Sequence, residues 1–406
     1  MSYQEAIDFL YKALPMYQRL GKTAFKKDLD NTLALSAALN NPHRRFKSIH
    51  VAGTNGKGSS SHMIASILQE AGYKVGLYTS PHLKSFTERI RINGEEISKK
   101  AVTSFVESNQ GLIEEIRPSF FEMTVIMAFD YFAKERVDVA VIEVGLGGRL
   151  DSTNIIEPEA CLITNIGFDH MDMLGNTLTA IASEKAGIIK PNTPVVISER
   201  QPETETVFKN KAEQQEARII FADAYYDEHY DTSLKGKHQQ KNKLGVVALI
   251  KVLIEKDWKI STDHIRVGLL KVAENTNLKG RWQILNNNPL TICDTGHNKE
   301  AFEYIVDSIS NIEFRKLYMV LGFVREKNVA QLLSLLPKAN YIFTRPDVPR
   351  GMSLQELKGI TSKLGIEGDF IEGVNHAVTI AQSRANHEDM IFIGGSTFVV
   401  AEIEEL

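Results

Sequence analysis

The chain has 406 residues, of which 43% are hydrophobic and 24% are charged, and its formal net charge is −4. This length exceeds one typical core and favours two domains, and the composition is ordinary for a soluble globular protein. The small negative charge argues against a broad electrostatic surface that binds nucleic acid.

The first part of the chain alternates between strand-like and helical segments. Residues 1–45 are predicted to form helices, with an irregular Lys-rich stretch near 21–27. Strand-like runs follow at 46–52, 74–79, 137–144, 160–166, 194–198 and 218–222, and helical periodicity recurs near 59–71, 99–116, 121–135, 177–189, 203–216 and 241–256. This alternation predicts a mostly parallel sheet with helices on both faces.

A second and shorter series begins after the sequence KGRW at 279–282. Strands are predicted at 290–294, 316–322, 341–345 and 390–394, and helices near 298–309, 326–336, 353–364 and 375–386. The segment from Ile284 to Pro289 contains three consecutive Asn residues and ends in Pro, so it is a candidate linker. We therefore predict a first domain over 1–284 and a smaller α/β domain over 285–406.

Cysteine usage and the N-terminus indicate the compartment. Cys161 and Cys293 each lie in or beside an apolar run, so buried free thiols in a reducing cytosol are expected. The first residues lack the basic region and apolar core of a signal peptide, and no apolar run approaches the ~20 residues that span a bilayer. We expect a cytoplasmic protein without a membrane partner.

The glycine-rich run VAGTNGKGSS, at 51–60, lies between a predicted strand and a predicted helix. It departs from the common G-x-x-x-x-G-K-[ST] spacing, because Val51 stands five residues before Gly56 and Gly58 follows Lys57. A strand, a turn and a helix N-terminus still aim backbone N–H groups at one point. This predicts a P-loop that holds a triphosphate, with Lys57 reaching the terminal phosphates; the alternative is an ordinary Gly-rich turn.

Glu143 stands at the end of the apolar run DVAVIEV, before the turn GLGGRLDSTN. Ligands of open α/β sheets bind at the carboxyl ends of strands, and Mg²⁺ takes few carboxylates together with waters and phosphate oxygens. This position favours a Mg²⁺ ligand. The alternative is a solvated edge residue or a salt-bridged structural acid.

His170 and Lys185 are ambiguous when each is taken alone. His170 follows the next strand, in a setting where a histidine is more often structural or solvated than a ligand. Lys185 lies on a helix that Thr177 is predicted to cap, and a surface lysine is the ordinary interpretation. At a pKa of about 10.4, only on the order of one lysine amine in a thousand is neutral at pH 7.

Seven motifs occur in order along the chain: GTNGKGS, SPHL, EVGLGGRLDSTN, ITNIGFDH, SEKAGIIKP, KGRW and DTGHN. Over roughly residues 20–400, the chain resembles the folylpolyglutamate synthase/dihydrofolate synthase family of the ATP-dependent Mur ligase superfamily. The resemblance implies an α/β fold with a P-loop parallel-sheet ATPase domain followed by a smaller Rossmann-like domain. It also implies that ATP binds in the cleft between them.

The resemblance implies roles for the residues in these motifs. ATP phosphates would be wrapped by Thr54, Asn55, Gly56, Lys57, Gly58 and Ser59, and further nucleotide contacts would come from Asn242, Arg281, Asp294 and His297. Ser80 and Glu143 would bind a first Mg²⁺, and His170 would complete a second metal site. Lys185 matches a lysine that CO₂ carbamylates, which converts a cation into an anion that can bridge to the metal. Lys57, His170 and Lys185 are therefore the predicted catalytic residues.

The resemblance also implies a pterin site. The matching positions are Ser119, Phe120, Phe121 and Glu122 (SFFE) and Leu150, Asp151 and Ser152. The two Phe rings would offer flat apolar surface to a pterin. SFFE can equally be a helix start, with Ser119 as N-cap and Glu122 completing a capping box, and both interpretations can hold together. The segment around 22–31, which supplies part of the family's folate pocket, departs from the family pattern.

The implied activity is ligation of L-glutamate to dihydropteroate or a folate. ATP would convert the pterin-linked carboxylate into an acyl phosphate, which the glutamate amine attacks. The expected partners are these small molecules and Mg²⁺, with no nucleic acid and a monomeric chain. A cell-wall muramyl-peptide ligase is one alternative, but only about 50 residues precede the P-loop, too few for its usual UDP-sugar domain. A non-ligase P-loop NTPase is another, and Glu143, His170 and Lys185 together argue against it.

Overall fold

Two largely parallel sheets form the frame of the protein, one in each of two structural units. The structure is a computed structural model that describes residues 1–14, 28–225, 229–325 and 328–406. The first unit comprises Met1–Ser233 and Gln239–Asn277, and the second comprises Leu234–His238 and Leu278–Leu406. The Lys-rich stretch near 21–27, and residues 326–327 of a predicted helix, lie outside the described residues.

The first unit contains an eight-stranded sheet in the order β4-β3-β2-β5-β1-β6-β7-β8. Its strands are β1 (Lys47–Ala52), β2 (Val75–Tyr78), β3 (Ile90–Ile92), β4 (Glu95–Glu96), β5 (Val139–Glu143), β6 (Ala160–Ile163), β7 (Val195–Ile197) and β8 (Ile219–Phe221). The strands from β2 to β8 in this order pair in parallel, and β3 and β4 add an antiparallel edge. Every residue of β2, β5, β6 and β7 is buried, as in parallel strands covered on both faces.

Eleven labelled α-helices accompany this sheet in the described part of the chain. They are α1 (Tyr3–Ala13), α2 (Asp30–Ala38), α3 (Lys57–Glu70), α4 (Lys99–Ile116), α5 (Phe120–Glu135), α6 (Met171–Leu174), α7 (Leu178–Ala186), α8 (Pro202–Gln214), α9 (Lys237–Glu255), α10 (Thr262–Leu270) and α11 (Val272–Thr276). One core cluster centres on buried aromatic side chains such as Tyr78, Phe129 and Phe132. A second cluster joins β6 and β7 to α7 and α8 through residues such as Ile163 and Ile181.

The second unit contains a six-stranded sheet in the order β13-β12-β11-β14-β10-β9. Its strands are β9 (Gln283–Asn287), β10 (Leu290–Cys293), β11 (Leu317–Leu321), β12 (Asn340–Arg345), β13 (Gly368–Glu372) and β14 (Met390–Gly394), and its helices are α12 (Lys299–Ser310), α13 (Val329–Leu333), α14 (Leu354–Lys363), α15 (Val374–Arg384) and α16 (Thr397–Glu402). Among the described residues, β9–β10 is the one antiparallel pair in this sheet, and its other strand pairs are parallel. The predicted two-domain α/β fold is confirmed.

The candidate linker at 284–289 is wrong. Residues Gln283–Asn287 form β9, which pairs with β10 through the turn that contains Asn288 and Pro289. The two units divide after Asn277 instead. An Asn-rich segment before a Pro is also typical of a tight hairpin turn, and only the pairing of the two flanking strands distinguishes a turn from a linker.

The short edge strands were also missed. β3 and β4 are joined by Asn93 and Gly94, which have φ values of 47° and 81°. An Asn-Gly pair is the sequence signal of a two-residue hairpin turn. The strands on either side are only three and two residues long, too short for an alternating pattern to be visible.

Candidate active site

The glycine-rich turn connects β1, a central strand of the first sheet, to the N-terminus of α3. Gly53 has a φ of +146° and Gly56 a φ of +86°, backbone conformations that side chains rarely adopt. A Cβ on Gly53 would lie 1.8 Å from Thr164 Oγ1, and one on Gly56 would lie 2.2 Å from Asn242 Oδ1. The turn is therefore tightly curved at a helix N-terminus, which is the arrangement that binds phosphate.

The residues after the neighbouring strand β6 hold this turn in place, although no role for them was predicted from the sequence. Asn165 accepts from Asn55 N through its side-chain oxygen and from Thr54 N through its backbone oxygen, both at 2.8 Å. The Thr164 hydroxyl donates to Asn55 O at 2.6 Å. Short polar residues directly after a buried strand, in the ITNIG motif, were the available signal.

Lys57 and Ser59 occupy the first turn of α3, together with Gly58. Lys57 Nζ donates to Gly53 O and Thr54 O, both at 3.1 Å, so its ammonium group lies over the turn. Ser59 is buried and accepts a hydrogen bond from Gln239 Nε2 at 3.2 Å. The structure thus brings together the predicted residues Thr54 to Ser59 and, beside Gly56, Asn242.

Glu143 and Ser80 meet at the carboxyl edge of the same sheet. Glu143 ends β5 and pairs in register with Val51 of β1, so its carboxylate lies one strand away from the turn. It is 3% exposed and accepts a hydrogen bond from Ser80 N at 3.0 Å. A buried carboxylate at the carboxyl edge of a parallel sheet suits Mg²⁺. In the described ranges no three His, Cys, Asp or Glu side chains cluster to hold a metal ion, so an ion here would depend on ligands from the substrate as well.

Lys185 is not a surface lysine, and that interpretation is wrong. It lies in α7, which Thr177 caps as predicted, and it is 4% exposed. Its Nζ donates to Gly53 O at 2.8 Å, so it shares this carbonyl with Lys57. Burial first, and the charge of Lys57 second, lower the pKa of Lys185 to about 7, although Asp169 and Asp151 oppose the change. A substantial share of the amine is therefore neutral near pH 7, as carbamylation requires.

His170 lies at the start of α6, with a φ of 50°. Its backbone N–H donates to Asp169 Oδ1 at 2.9 Å, and its ring Nε2 lies 3.9 Å from Asp169 Oδ2. The Asp169 carboxylate also raises the pKa of Lys185, so it interacts electrostatically with both of these predicted metal-site residues. Asp169 is not among the site residues predicted from the sequence.

The SFFE motif begins α5 as a capping box. The Ser119 hydroxyl accepts from Glu122 N at 3.2 Å, and the Glu122 carboxylate accepts from Ser119 N at 2.5 Å. The structural interpretation of Ser119 and Glu122 is therefore confirmed. Phe120 is buried, with the Arg89 guanidinium 5.3 Å from its ring centroid. Phe121 is half-buried and lies against the Tyr78 ring, at a centroid distance of 6.2 Å.

The turn after β5 carries the other predicted pterin residues, Leu150, Asp151 and Ser152. Asp151 caps the 3₁₀ helix Ser152–Ile155 and accepts a hydrogen bond from Leu146 N at 2.8 Å. Gly145 in the same turn packs against Phe121, since a Cβ on Gly145 would lie 2.2 Å from the ring. Phe121 packs against this turn and Asp151 belongs to it, so the structure brings the two side chains to the same place.

Three predicted nucleotide-contacting residues, Arg281, Asp294 and His297, belong to the second unit. Asp294 follows β10 and accepts from Trp282 N and Gly296 N, each at 2.7 Å. His297 Nδ1 lies 3.0 Å from Thr295 O. The DTGHN motif is therefore a polar turn at the carboxyl end of a strand, as a ligand-binding turn in an α/β sheet should be.

Comparison with protein families assigns residues 51–267 to the Mur ligase middle domain and residues 280–397 to the Mur ligase glutamate ligase domain. The chain belongs to the Mur ligase family. It is 32% identical to the dihydrofolate synthase/folylpolyglutamate synthase of Bacillus subtilis, a match that covers 100% of this chain and 99% of the relative. This Mur ligase is thus similar to that enzyme from end to end.

Two solved structures resemble this Mur ligase across nearly the whole chain. Mycobacterium tuberculosis folylpolyglutamate synthase complexed with ADP is 28% identical, with a TM-score of 0.88 and coverage of 98% of this chain and 96% of the other. A bifunctional folylpolyglutamate synthase/dihydrofolate synthase with Mn, AMPPNP and L-glutamate bound is 28% identical, with a TM-score of 0.84 and coverage of 99% and 97%. The predicted family, and a ligase that forms C–N bonds, are confirmed. No helix in the described ranges is long and apolar enough to cross a membrane.

Proposed function

We propose that this Mur ligase uses ATP to add L-glutamate to dihydropteroate and to folates. The observation that carries the proposal is the match to the Bacillus subtilis dihydrofolate synthase/folylpolyglutamate synthase, which extends over both domains and almost every residue of each chain. The P-loop, the Glu143 carboxylate and the buried Lys185 supply the parts of an ATP-dependent ligase. The motifs at 119–122 and 150–152 supply the parts that suit a pterin acid.

The chemistry must make a carboxylate reactive toward an amine. Transfer of the ATP γ-phosphoryl group to a carboxylate oxygen releases ADP and forms an acyl phosphate. The glutamate nitrogen then attacks the carbonyl carbon and loses a proton, and the carbon–oxygen bond to phosphate breaks. Such transfers are catalysed mainly by positioning and by charge compensation.

The residues of the first unit are suited to that compensation. Backbone N–H groups of 54–59 would cradle the phosphates, and the Lys57 ammonium would move from its two carbonyls to the transferring phosphoryl group. Ser80 and Glu143 would hold Mg²⁺, which would supply further positive charge there. Asn242 lies against Gly56 and would contact the nucleotide. Arg281, Asp294 and His297, which belong to the second unit, remain predicted nucleotide contacts on the strength of the family resemblance.

Lys185 would act as a carbamate. Its nitrogen would bond to the carbon of CO₂ and lose a proton, which replaces one of the two cations at Gly53 O with an anion. That anion and His170 would hold the second metal ion. The support for this role is the family resemblance together with the buried position of Lys185 beside the P-loop.

One assay tests the activity. ADP release is measured with ATP, Mg²⁺ and L-glutamate, and the acceptor is dihydropteroate, tetrahydrofolate or neither. We expect ADP release to require glutamate and a pterin acid together, and the comparison decides whether one or both activities are present. ADP release that continues without a pterin acid would contradict the proposal, and turnover only with a muramyl peptide would favour a cell-wall ligase.

We further infer a monomeric enzyme of the cytoplasm that has no nucleic acid partner. The support is the pair of buried free cysteines, which suits a reducing compartment, and the net charge of −4, which does not attract nucleic acid. Size-exclusion chromatography with light scattering tests the oligomeric state. A dimeric mass would contradict the inference that the enzyme is a monomer.

A further inference from the structure

Three buried side chains, His50, Thr153 and Asp151, form a relay from the central strand β1 to the turn that follows β5. His50 and Thr153 are fully buried, and Asp151 is 3% exposed. His50 Nε2 lies 2.9 Å from Thr153 Oγ1, and Thr153 Oγ1 lies 2.5 Å from Asp151 Oδ1. A buried polar chain of this kind is costly unless each member is satisfied.

The hydrogens in the relay can run in only one direction. A carboxylate only accepts, so the Thr153 hydroxyl donates its single proton to Asp151. The hydroxyl must then accept from His50, whose proton therefore lies on Nε2. His50 Nδ1 is left as an acceptor, and it has no hydrogen-bond partner among the described residues. An unpaired buried acceptor costs less than an unpaired N–H, which agrees with this tautomer.

His50 is also held in the neutral form. Burial, and then the positive charge of Lys190, lower the pKa of His50 to about 3. A neutral ring with its proton on Nε2 can donate to Thr153 near neutral pH. The relay is thus a fixed orienting device and not a proton switch.

The end of the relay controls the turn at 145–150. Asp151 Oδ1 also accepts from Thr153 N at 3.0 Å, and its Oδ2 accepts from Leu146 N at 2.8 Å. Leu146 follows Gly145, whose backbone lies against the ring of Phe121. A rotated Asp151 carboxylate would therefore shift both the acidic group and the backbone that supports Phe121.

We propose that His50 and Thr153 are positioning residues for the pterin acid, and that they act by orienting Asp151 and the turn at 145–150. The inference rests on the proposed function, because it takes Asp151 and Phe121 as pterin-binding residues. A positioning role and a purely structural role have different consequences. Loss of a structural contact lowers stability alone, whereas loss of the relay weakens the use of one substrate selectively.

The test compares Thr153→Val, which keeps the shape and removes the hydroxyl, with Thr153→Ser, which keeps the hydroxyl. KM values for the pterin acid, ATP and glutamate are measured separately, with the melting temperature of each variant. We expect Thr153→Val to raise KM for the pterin acid about tenfold and to leave KM for ATP within about twofold, on the scale of one hydrogen bond to a charged group. Thr153→Ser should restore most of the loss. Thr291→Val is the control, because Thr291 is buried in the second unit and its hydroxyl donates to a backbone carbonyl of its own turn.

The variant Asp151→Asn tests the pterin role of Asp151 separately from the role of the relay. A rise in KM for the pterin acid with Asp151→Asn, but none with Thr153→Val, would overturn the relay and leave the proposed site standing. No rise with Asp151→Asn would overturn the pterin role of Asp151 and the relay with it. Should Thr153→Val fail to fold, His50→Leu against His50→Gln takes its place under the same criteria, because a Gln amide can still donate to Thr153.

Discussion

Two lysine amines meet at one backbone carbonyl, Gly53 O, and this contact is the most unusual feature at the residue scale. Lys57 Nζ lies 3.1 Å from the oxygen and Lys185 Nζ lies 2.8 Å from it. Two like charges in a buried setting repel, and the pKa of Lys185 falls to about 7 as a result of burial first and of Lys57 second. A reaction that converts one amine into an anion would relieve this repulsion.

Replacement of Lys185 by Ala is expected to lower kcat on the order of 10²-fold or more, the scale seen when one preorganised charge is lost from an active site. A short carboxylate such as acetate should restore part of the activity, since it can supply the missing anion. The measurement is ADP release with and without added acetate. Lys74→Ala is the control, because Lys74 also bonds a backbone carbonyl but lies at the surface. Full activity of Lys185→Ala would exclude the carbamate.

His50 predicts how stability depends on pH. Its pKa in the folded protein is about 3, whereas a histidine in the unfolded chain has a pKa near ~6.5. Between these values the unfolded state binds more protons, so the free energy of unfolding falls as the pH is lowered, by up to about 1.4 kcal/mol per pH unit. Above pH ~6.5 both states leave the histidine neutral, and none of this stability is lost.

Urea unfolding at about pH 7.5 and about pH 5.5 measures the change in the free energy of unfolding. These two conditions lie on either side of the unfolded-state pKa of about 6.5. His50→Gln should make the difference between the two conditions smaller than in the wild type. His387→Gln, at an exposed histidine, serves as the control and should leave the difference unchanged. An equal difference in all three proteins would show that His50 is not the linked group.

At the scale of single elements, the turn between β1 and α3 depends on glycine for shape. Gly53→Ala is expected to destabilise the protein by about 2 kcal/mol or more and to weaken ATP binding, because the backbone is strained and the added Cβ meets Thr164. Gly111→Ala is the same chemical change inside α4, where nothing lies within 4 Å of the new Cβ. It should stabilise the protein by about 0.5–1 kcal/mol. Thermal melts with and without ATP measure both changes, and equal effects at the two positions would contradict the assignment of the turn.

Helix capping at Ser119 allows the two interpretations of SFFE to be separated. Ser119→Ala removes the N-cap of α5 and Ser98→Ala removes the N-cap of α4, and each should cost about 1 kcal/mol of stability. If Ser119 also helps to bind the pterin, only Ser119→Ala should raise KM for the pterin acid. Equal KM values in the two variants would leave Ser119 with a structural role alone.

Prediction of elements from the sequence succeeded where the pattern was long. The buried parallel strands and the longer helices around them were identified, because a central strand is a continuous apolar run and a surface helix repeats every three to four residues. The shorter helices α6, α10, α11 and α16 were missed. Strands β3 and β4 were missed because they are only three and two residues long. Strands β9 and β13 were missed because they lie at the two edges of the second sheet and their residues are partly exposed. Their existence depends on a partner strand that is not local in sequence.

At the scale of the whole molecule, we expect the metal to serve turnover and not the stability of the fold. The described residues contain no cluster of three His, Cys, Asp or Glu side chains that could hold one. Chelation with EDTA is therefore expected to stop ADP release while the melting temperature stays the same, and added Mg²⁺ should restore turnover. A large fall in melting temperature with EDTA would instead indicate a structural ion.

The sequence by itself determined the family, the two-domain α/β class and the motifs of the site, because these depend on local pattern and on residues in a fixed order. The tertiary structure alone decided the environment of each side chain. From the sequence alone, Lys185 is interpreted as a surface lysine. In the fold, α7 lies beside Gly53, which buries the amine and brings Lys57 next to it. His50 and Asp151 are about a hundred residues apart and join only through Thr153. Burial and long-range contact set pKa values and hydrogen-bond direction, and neither is encoded in a short stretch of sequence.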